Sequence, residues 1–285
     1  MTVTATMPPP PAPPPAPPKA PAGATVNPAA WGRHPLVRIP TLAFGGLVVL
    51  VLLSACAFSV ANLLVRTTEI DSTTLTGEVR RADVHVTGSV TITTGPVDQV
   101  EISRRSTFGV SHPRVRETLV DGLLTVRVEC VGGFSVICTN DVDLVVPADV
   151  SFSIDALGTH IADVQGDVEL NSGAGSVELE RLSGDLEIAV GGGSISGLDL
   201  RSSRVRASAG AGSVELDFLV APDDVDANSG AGSVLVRLPQ GDEAYRVDAD
   251  AGAGSDVVTV KTDQTSERRI RANAGAGSAE VHYQP

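Results

Sequence analysis

Two neighbouring carboxylates in the segment VAPDDVD, Asp223 and Asp224, are the side chains with the clearest potential for acid–base chemistry. Clustered Asp residues are used by some β-helical enzymes that act on polysaccharides. An acidic pair that directly follows a proline, here Pro222, is more typical of a solvated turn. We therefore expect no catalytic pair here. The five histidines share no spacing characteristic of metal ligands; they are His34, His85, His112, His160 and His282.

A small-residue motif, Gly-Ala-Gly-Ser, recurs along the second half of the chain, as in LNSGAGSVEL, ASAGAGSVEL and RANAGAGSAEV. A phosphate-binding P-loop requires a Gly-Lys pair, which this chain lacks. A dinucleotide-binding loop requires a third glycine that opens a helix, whereas valine-rich alternation follows here. Calcium-binding β-roll repeats have a nine-residue period, and the period here is about twice as long. The motif therefore predicts no cofactor and no metal.

The first glycine of each motif copy, including the looser copy AVGGGSISG, recurs every 18 to 23 residues. A slightly drifting period near 20 residues is typical of a solenoid whose loops vary in length. The sequence thus predicts an all-β ectodomain, a β-solenoid of about six coils over 155–285, with the motif at its structural corners. The predicted corner glycines are Gly173, Gly175, Gly191, Gly193, Gly210, Gly212, Gly230, Gly232, Gly252, Gly254, Gly275 and Gly277.

The motif is predicted to be a corner because the alternation of apolar residues changes parity inside it. In the third copy, Val205 and Ala207 precede the glycines at odd positions, whereas Val214 and Leu216 follow at even positions. Strict alternation indicates strands with one buried face. The same face stays buried across a parity change only if the chain bends or bulges at that point. Each coil should therefore contain two short strands joined at Gly-Ala-Gly-Ser.

Outward positions of the predicted coils carry charges that form a column when the coils stack in sequence order. Stacking at about 4.8 Å would place Arg206 between Glu187 and Asp226, and Arg271 beside Asp248. We interpret these charges as a solvated, partly compensated column rather than a catalytic carboxylate array. In sequence order, the last coil also forms an open end at which strands of another molecule could pair.

Cys130 and Cys138 lie eight positions apart in VECVGGFSVICTND, and a Gly-Gly pair between them suits a turn. In an oxidising compartment such a pair favours a hairpin disulfide. Two cysteines without a nearby His or further Cys make a poor zinc site. The region 66–154 reads as strands throughout, and its Asp-Gly turn in RETLVDGLLTVRV predicts a hairpin. We expect this N-terminal β region to cap the solenoid.

The first 65 residues differ sharply in composition from the rest. Residues 1–40 hold 13 of the 19 prolines and predict a disordered, Pro-rich tail. Residues 41–65 carry no charge, and these 25 mostly apolar residues are enough for a transmembrane helix. Basic residues precede this span, which predicts a signal anchor with a cytoplasmic N-terminus and an extracytoplasmic C-terminal domain. A second interpretation is a lipoprotein, since LSAC resembles a lipobox that would leave Cys56 lipidated.

All 34 Asp and Glu residues lie in 66–285, so the outward part of the chain is strongly acidic. Such a charge argues against binding to nucleic acid or to an anionic lipid surface. It is compatible with a basic partner or a cation, and the sequence identifies neither. The oligomeric state is equally open.

The repeats GDVELNSGAGSVELERLSGDLEIAV resemble a bacterial adhesin-like β-strand-repeat family, a domain of unknown function. The preceding segment, VEISRRSTFGVSHPRVRETLVDGLLTVRVEC followed by VDLVVPADVSF, is similar to actinobacterial, membrane-anchored members. The resemblance covers about residues 70–285. It implies a β-solenoid-like ectodomain behind one membrane anchor, and some members occur with cell-envelope stress systems. The family has no agreed catalytic motif, and this chain has Gly-Ala-Gly-Ser where many members have Ser-Gly-Asp.

We therefore predict a single-pass bacterial membrane protein with a non-enzymatic ectodomain. Its function would be that of an adhesin-like or scaffold interaction module that binds a component of the cell envelope. The alternative is a regulatory protein that senses envelope stress and signals through its Pro-rich tail. A polysaccharide-active enzyme is a third, weaker hypothesis, and it would depend on Asp223 and Asp224.

Overall fold

The computed structural model describes residues 46–57, 66–96, 99–109, 111–130 and 138–285. The chain divides into two compact units, Met1–Ser54 and Ala55–Pro285. A helix with exposed side chains covers 46–57, within the predicted membrane span. In these ranges no helix is both long and apolar enough to cross a bilayer. The Pro-rich tail, and positions 41–45 and 58–65 of the predicted span, lie outside the described residues, so the anchor stays a prediction.

The described part of residues 66–285 is built from β-strands. In chain order these are β1 (Thr67–Thr76), β2 (Arg81–Thr94), β3 (Gln99–Phe108), β4 (Arg114–Val120), β5 (Leu123–Glu129), β6 (Cys138–Val146), β7 (Ser151–Ala162), β8 (Val168–Ala174), β9 (Val177–Glu180), β10 (Leu186–Gly192), β11 (Ile195–Leu200), β12 (Arg204–Ala211), β13 (Val214–Phe218), β14 (Asp224–Ala231), β15 (Val234–Leu238), β16 (Arg246–Ala251), β17 (Asp256–Val258), β18 (Arg269–Ala274) and β19 (Ala279–Tyr283).

The strands form stacked coils, and each coil contributes to two faces of parallel strands. The first face contains, in order of stacking, β5, the first half of β2, the first half of β7, β8, β10, β12, β14, β18 and β16. The second face contains β6, the second halves of β2 and β7, β9, β11, β13, β15, β19 and β17. The predicted all-β, solenoid-like architecture is confirmed.

Antiparallel strands close the N-terminal end of the stack. Strand β4 pairs with β5 on the first face, whereas β3 pairs with β6 and β1 pairs with β3 on the second face. Asp121 and Gly122 join β4 to β5 with φ angles of 50° and 80°, as a type I′ hairpin turn requires. A disulfide with a Cα–Cα distance of 6.1 Å joins Cys130, just after β5, to Cys138 at the start of β6. The disulfide therefore ties the two halves of this coil together.

The coils do not stack in sequence order at the C-terminal end. Strands β18 and β19 pair with β14 and β15 on one side and with β16 and β17 on the other. The coil formed by β16 and β17 is therefore outermost, and the C-terminal coil is inserted beneath it. This corrects the prediction that the last coil of the sequence forms the open end. A similar exception occurs near the N-terminus, where β2 lies between the β5–β6 coil and β7.

Two sets of contacts favour the inserted position of the C-terminal coil. Arg271 lies between Asp226 and Asp248 in the outward column, whereas sequence order would set these two carboxylates side by side. Just before β18, the Arg268 guanidinium donates hydrogen bonds to the carbonyl oxygens of Ala221 and Pro222, at 3.0 and 2.9 Å. Arg268 thus fixes the start of β18 beside the segment that leads into β14.

The core is the space between the two faces. Along β12, Val205, Ala207 and Ala209 are buried, and after the corner Val214 and Leu216 of β13 are buried. The parity change predicted inside Gly-Ala-Gly-Ser is confirmed, because the chain turns from one face to the other there. Burial of these aliphatic side chains stabilises each coil by about 25 cal/mol per Å² of apolar surface removed from water.

The corner glycines stack directly over one another. A Cβ atom placed on Gly210 would lie 2.5 Å from the carbonyl oxygen of Gly191 in the coil beneath, and one on Gly230 would lie 2.5 Å from the carbonyl oxygen of Gly210. A second column has φ angles between +116° and +151°, which favour glycine; it contains Gly175, Gly193, Gly212, Gly232 and Gly277. Close contact with the coil beneath therefore leaves no space for a side chain at Gly191, Gly210, Gly230 and Gly275.

Replacement of Gly210 by alanine should lower the free energy of unfolding by about 1–3 kcal/mol, since the added methyl group would overlap a backbone carbonyl. Gly173 occupies the equivalent place in its coil, but a Cβ atom there has no atom within 4 Å. Gly173→Ala is therefore the matched control, with an expected change below about 0.5 kcal/mol. Urea unfolding of both variants measures the difference, and equal losses would contradict the stacking contact.

The order of the C-terminal coils can be tested by cross-linking in a Cys56→Ser background. Asn228 pairs directly with Asn273, and its amide accepts a hydrogen bond of 2.8 Å from Asn273. Cysteines at these two positions should form a disulfide on mild oxidation. Cysteines in place of Asn228 and Asp250 should not form one. These positions are two strand spacings apart, about 10 Å, whereas a disulfide spans a Cα–Cα distance of at most about 7 Å. Mass spectrometry identifies the linked peptides. A disulfide between positions 228 and 250, and none between 228 and 273, would show that the coils stack in sequence order.

Candidate interaction surface

The outward side of the first face carries parallel columns of charged and polar side chains. Strand pairing places Arg206 between Glu187 and Asp226, as the sequence predicts. Two residues further along, the Asn228 side chain donates a hydrogen bond of 2.7 Å to Asp226, so neighbouring columns are also linked. Columns of polar groups therefore cover this side of the coils, and they flank an open depression of about 560 Å³ lined by Arg81, Glu169, Glu187 and Arg206.

Arginines compensate many carboxylates on the outside of the coils. Arg181 donates hydrogen bonds of 2.7 and 2.9 Å to both carboxylate oxygens of Asp163, and these bonds lower the pKa of Asp163 and raise the pKa of Arg181. Two nitrogens of Arg204 donate to a single carboxylate oxygen of Asp185, at the start of the first face. Carboxylates held in charge-assisted hydrogen bonds stay ionised, so they are poorly suited to act as general acids.

The acidic pair Asp223 and Asp224 is divided between two structural roles. The Arg268 guanidinium donates a hydrogen bond of 2.6 Å to a carboxylate oxygen of Asp223. Asp224 is the first residue of β14, between Arg204 and Arg269 on the neighbouring strands. The expectation of a turn therefore holds for Asp223, whereas Asp224 already belongs to a strand. Asp223 forms an ion pair with Arg268, and Asp224 has arginines on both neighbouring strands. Charge compensation on the coil surface therefore accounts for both acidic residues.

The histidines lie apart from one another. His85 is 3.2 Å from Asp155 on the first face, and His160 is 3.4 Å from Glu178 on the second face. His112 stacks on Phe108, while His34 is outside the described residues. In the part of the chain that the structure describes, no three His, Cys, Asp or Glu residues are grouped to hold a metal ion.

The groove at the N-terminal end of the stack was not predicted from the sequence. This groove, of about 960 Å³, is open to solvent and lies between the ends of β1 and β4. Leu75 and Leu119 line it, and both pack against the core with half-buried side chains. The alternation of arginine and apolar residues at the start of β4 could have revealed which side of this strand faces outward. Only the pairing of β1 with β3 and of β4 with β5 shows that the free edges of β1 and β4 flank one groove.

No protein-family model matches this chain, and no curated protein matches it. A candidate cell adhesion protein from Clostridium sporogenes is a similar solved structure, with 12% identity, a TM-score of 0.39, and coverage of 76% of this chain and 100% of that chain. A candidate adhesin from Bacteroides fragilis has 15% identity, a TM-score of 0.42, and coverage of 76% and 97%. A candidate adhesin from Parabacteroides merdae has 13% identity, a TM-score of 0.41, and coverage of 77% and 97%.

Tyr245 is the titratable side chain whose ionisation should affect stability most clearly. It is buried, and burial raises the pKa of Tyr245 from 10.0 to about 12. The folded state holds the phenolic proton more tightly than the unfolded chain, so stability is lost as the pH rises from about 10 to about 12. Tyr245→Phe should remove this loss.

The measurement is urea unfolding of the parent and of Tyr245→Phe at about pH 9 and about pH 11, both in a Cys56→Ser background to limit thiol exchange. The difference between the two proteins isolates the contribution of Tyr245 to the pH dependence of stability. If both proteins lose the same stability between the two pH values, the burial of the phenol does not control alkaline unfolding.

Proposed function

We propose that this chain is a non-catalytic interaction module of the bacterial cell envelope, adhesin-like or a scaffold. One observation carries the proposal, namely the regular outward side of the first face. Coil after coil presents charged and polar side chains in register there, on a framework held by glycine contacts. A regular, repetitive surface of this kind is suited to bind an extended or repetitive component. Catalysis would instead require reactive groups that converge on one bound substrate.

We further propose that the module lies on the outer side of the cytoplasmic membrane, behind a single span at 41–65. The support is compositional, since this span carries no charge, basic residues precede it and every acidic residue follows it. The Cys130–Cys138 disulfide agrees with an oxidising compartment. Lipidation at Cys56 would place the module on the same side.

A second candidate function is regulation through the N-terminal tail. The proline-rich stretch PPPPAPPPAPP favours an extended conformation that a cytosolic partner could bind. In this case the ectodomain would sense the state of the envelope. Deletion of 1–38 should then abolish the cellular phenotype, whereas an adhesin-like function would survive it.

The test of the interaction module is saturable binding of the full chain, in detergent, to wall, membrane and protein fractions of the source cells. If the first face binds, Glu169→Lys with Glu187→Lys should weaken binding by at least about tenfold, because both carboxylates lie in its outward column. Glu178→Lys with Glu280→Lys makes the same change of net charge on the second face and is the matched control. No saturable binding by the folded parent chain would contradict the proposal.

A further inference from the structure

The N-terminal end of the coil stack is one strand short on its first face. On the second face, β3 and then β1 extend the sheet beyond β6. On the first face, only β4 extends it beyond β5. Strand β1 therefore overhangs a space beside β4 in which one further strand would complete the end. Within the described residues, β4 pairs with no strand other than β5, so its second edge presents free backbone groups.

The floor of this space is partly closed by side chains from both faces. Arg104 of β3 donates a hydrogen bond of 2.5 Å to Glu117 of β4 and one of 2.6 Å to Asp71 of β1. Leu75 and Leu119 continue the floor toward the open groove. A strand added here would set its inward side chains on these two leucines and on the ion pairs. Small aliphatic side chains fit that floor best, because a buried charge would need its own partner.

The outward side of β4 is positively charged. Arg114 and Arg116 both point away from the core, and within the described residues neither forms an ion pair. Arg114 lies directly opposite Glu129 of β5, whereas Arg116 lies directly opposite Arg127. Like charges directly opposite each other in a sheet are destabilising. The Arg116–Arg127 arrangement becomes favourable when an acidic side chain of an added strand lies beside Arg116.

We propose that the free edge of β4 is a binding site for an extended peptide segment of a partner protein, with acidic residues at alternate positions and small aliphatic residues between them. The peptide would add to the first face as a further β-strand. Its backbone would pair with β4, its acidic side chains would contact Arg114 and Arg116, and its aliphatic side chains would cover Leu75 and Leu119. The same arginines would exclude neutral or basic strands, which protects the edge from unspecific pairing.

This inference rests on the proposed function, because it names one surface and one class of partner for the interaction module. The β4 site differs from the outward side of the first face, where a partner can contact side chains only. At β4 the partner would also gain main-chain hydrogen bonds. Specificity would come from the alternation of acidic and aliphatic residues, since successive side chains of a strand point to opposite sides.

The test uses the full chain and a fluorescein-labelled heptapeptide, Ser-Val-Asp-Val-Asp-Val-Ser. Saturable binding is expected from fluorescence anisotropy, together with slower hydrogen exchange of the β4 amides. The peptide Ser-Asp-Asp-Val-Val-Val-Ser has the same composition without alternation, and a version with Lys in place of Asp reverses the charge. Both should bind at least about tenfold more weakly.

The double variant Arg114→Glu with Arg116→Glu should lose binding by at least about tenfold. Arg181→Glu with Arg201→Glu is the matched control, since it makes the same change of net charge directly after β9 and β11 of the second face, far from the free edge and from the outward side of the first face. Circular dichroism and urea unfolding check that each variant is folded. Absence of peptide binding, or equal binding by the parent and the folded double variant, would overturn the β4 site.

Binding of the same variants to envelope fractions separates this inference from the proposed function. If the parent binds an envelope fraction and the double variant binds it equally, the interaction module stands and the β4 site does not. If the parent binds the heptapeptide but no envelope fraction, the β4 site stands and the envelope function fails.

Discussion

The contact between a corner glycine and the carbonyl group of the corner beneath it is the constraint on which the rest of the structure depends. This contact leaves no space for a Cβ atom at Gly210 or Gly230, so the coils approach to the spacing of paired strands. At that spacing the backbone groups of both faces pair, and the parity change keeps the alternating apolar side chains of both strands inward, as at Val205 and Leu216. The outward columns exist for the same reason. A side chain at Gly210 or Gly230 would separate two coils and disturb both faces.

The glycine contact fixes the distance between coils but does not identify which coil lies next to which. Gly275 stacks over Gly230, and Gly252 stacks over Gly275, with the same geometry that earlier coils have in sequence order. Side chains outside the corners must therefore determine the order. Exposed ion pairs such as Arg271–Asp226 contribute only about 0.2–1 kcal/mol each. Arg268 is better placed to determine it, because its guanidinium binds two carbonyl oxygens and one carboxylate at the entrance to β14.

Much of the fold could be predicted from the sequence, because alternation and turn chemistry are local. The burial of Val205 and Leu216, and the hairpin at Asp121-Gly122, follow from residues that are close together in the chain. The position of the C-terminal coil could not be predicted. On the first face its inward residues Ile270, Ala272 and Ala274 match Val247, Ala249 and Ala251 of the preceding coil in type, so this face would bury a similar surface in either order. For the same reason, nothing local indicates that β2 inserts beside β7, or that β1 overhangs β4.

The two ends of the stack are dissimilar, and this difference bears on self-association. The outermost C-terminal coil presents β16 and β17 at one level, with Asp248 and Asp250 on its outward side. These carboxylates would complement the arginines of β4 in a second copy. However, coaxial stacking would bring β17 of one copy to the level already occupied by β1 of the next. The overhang of β1 therefore opposes a head-to-tail filament, while a single strand can still reach β4. Open-ended association by heterologous contacts, a hazard of repeat architectures, is thereby limited by the shape of the N-terminal end.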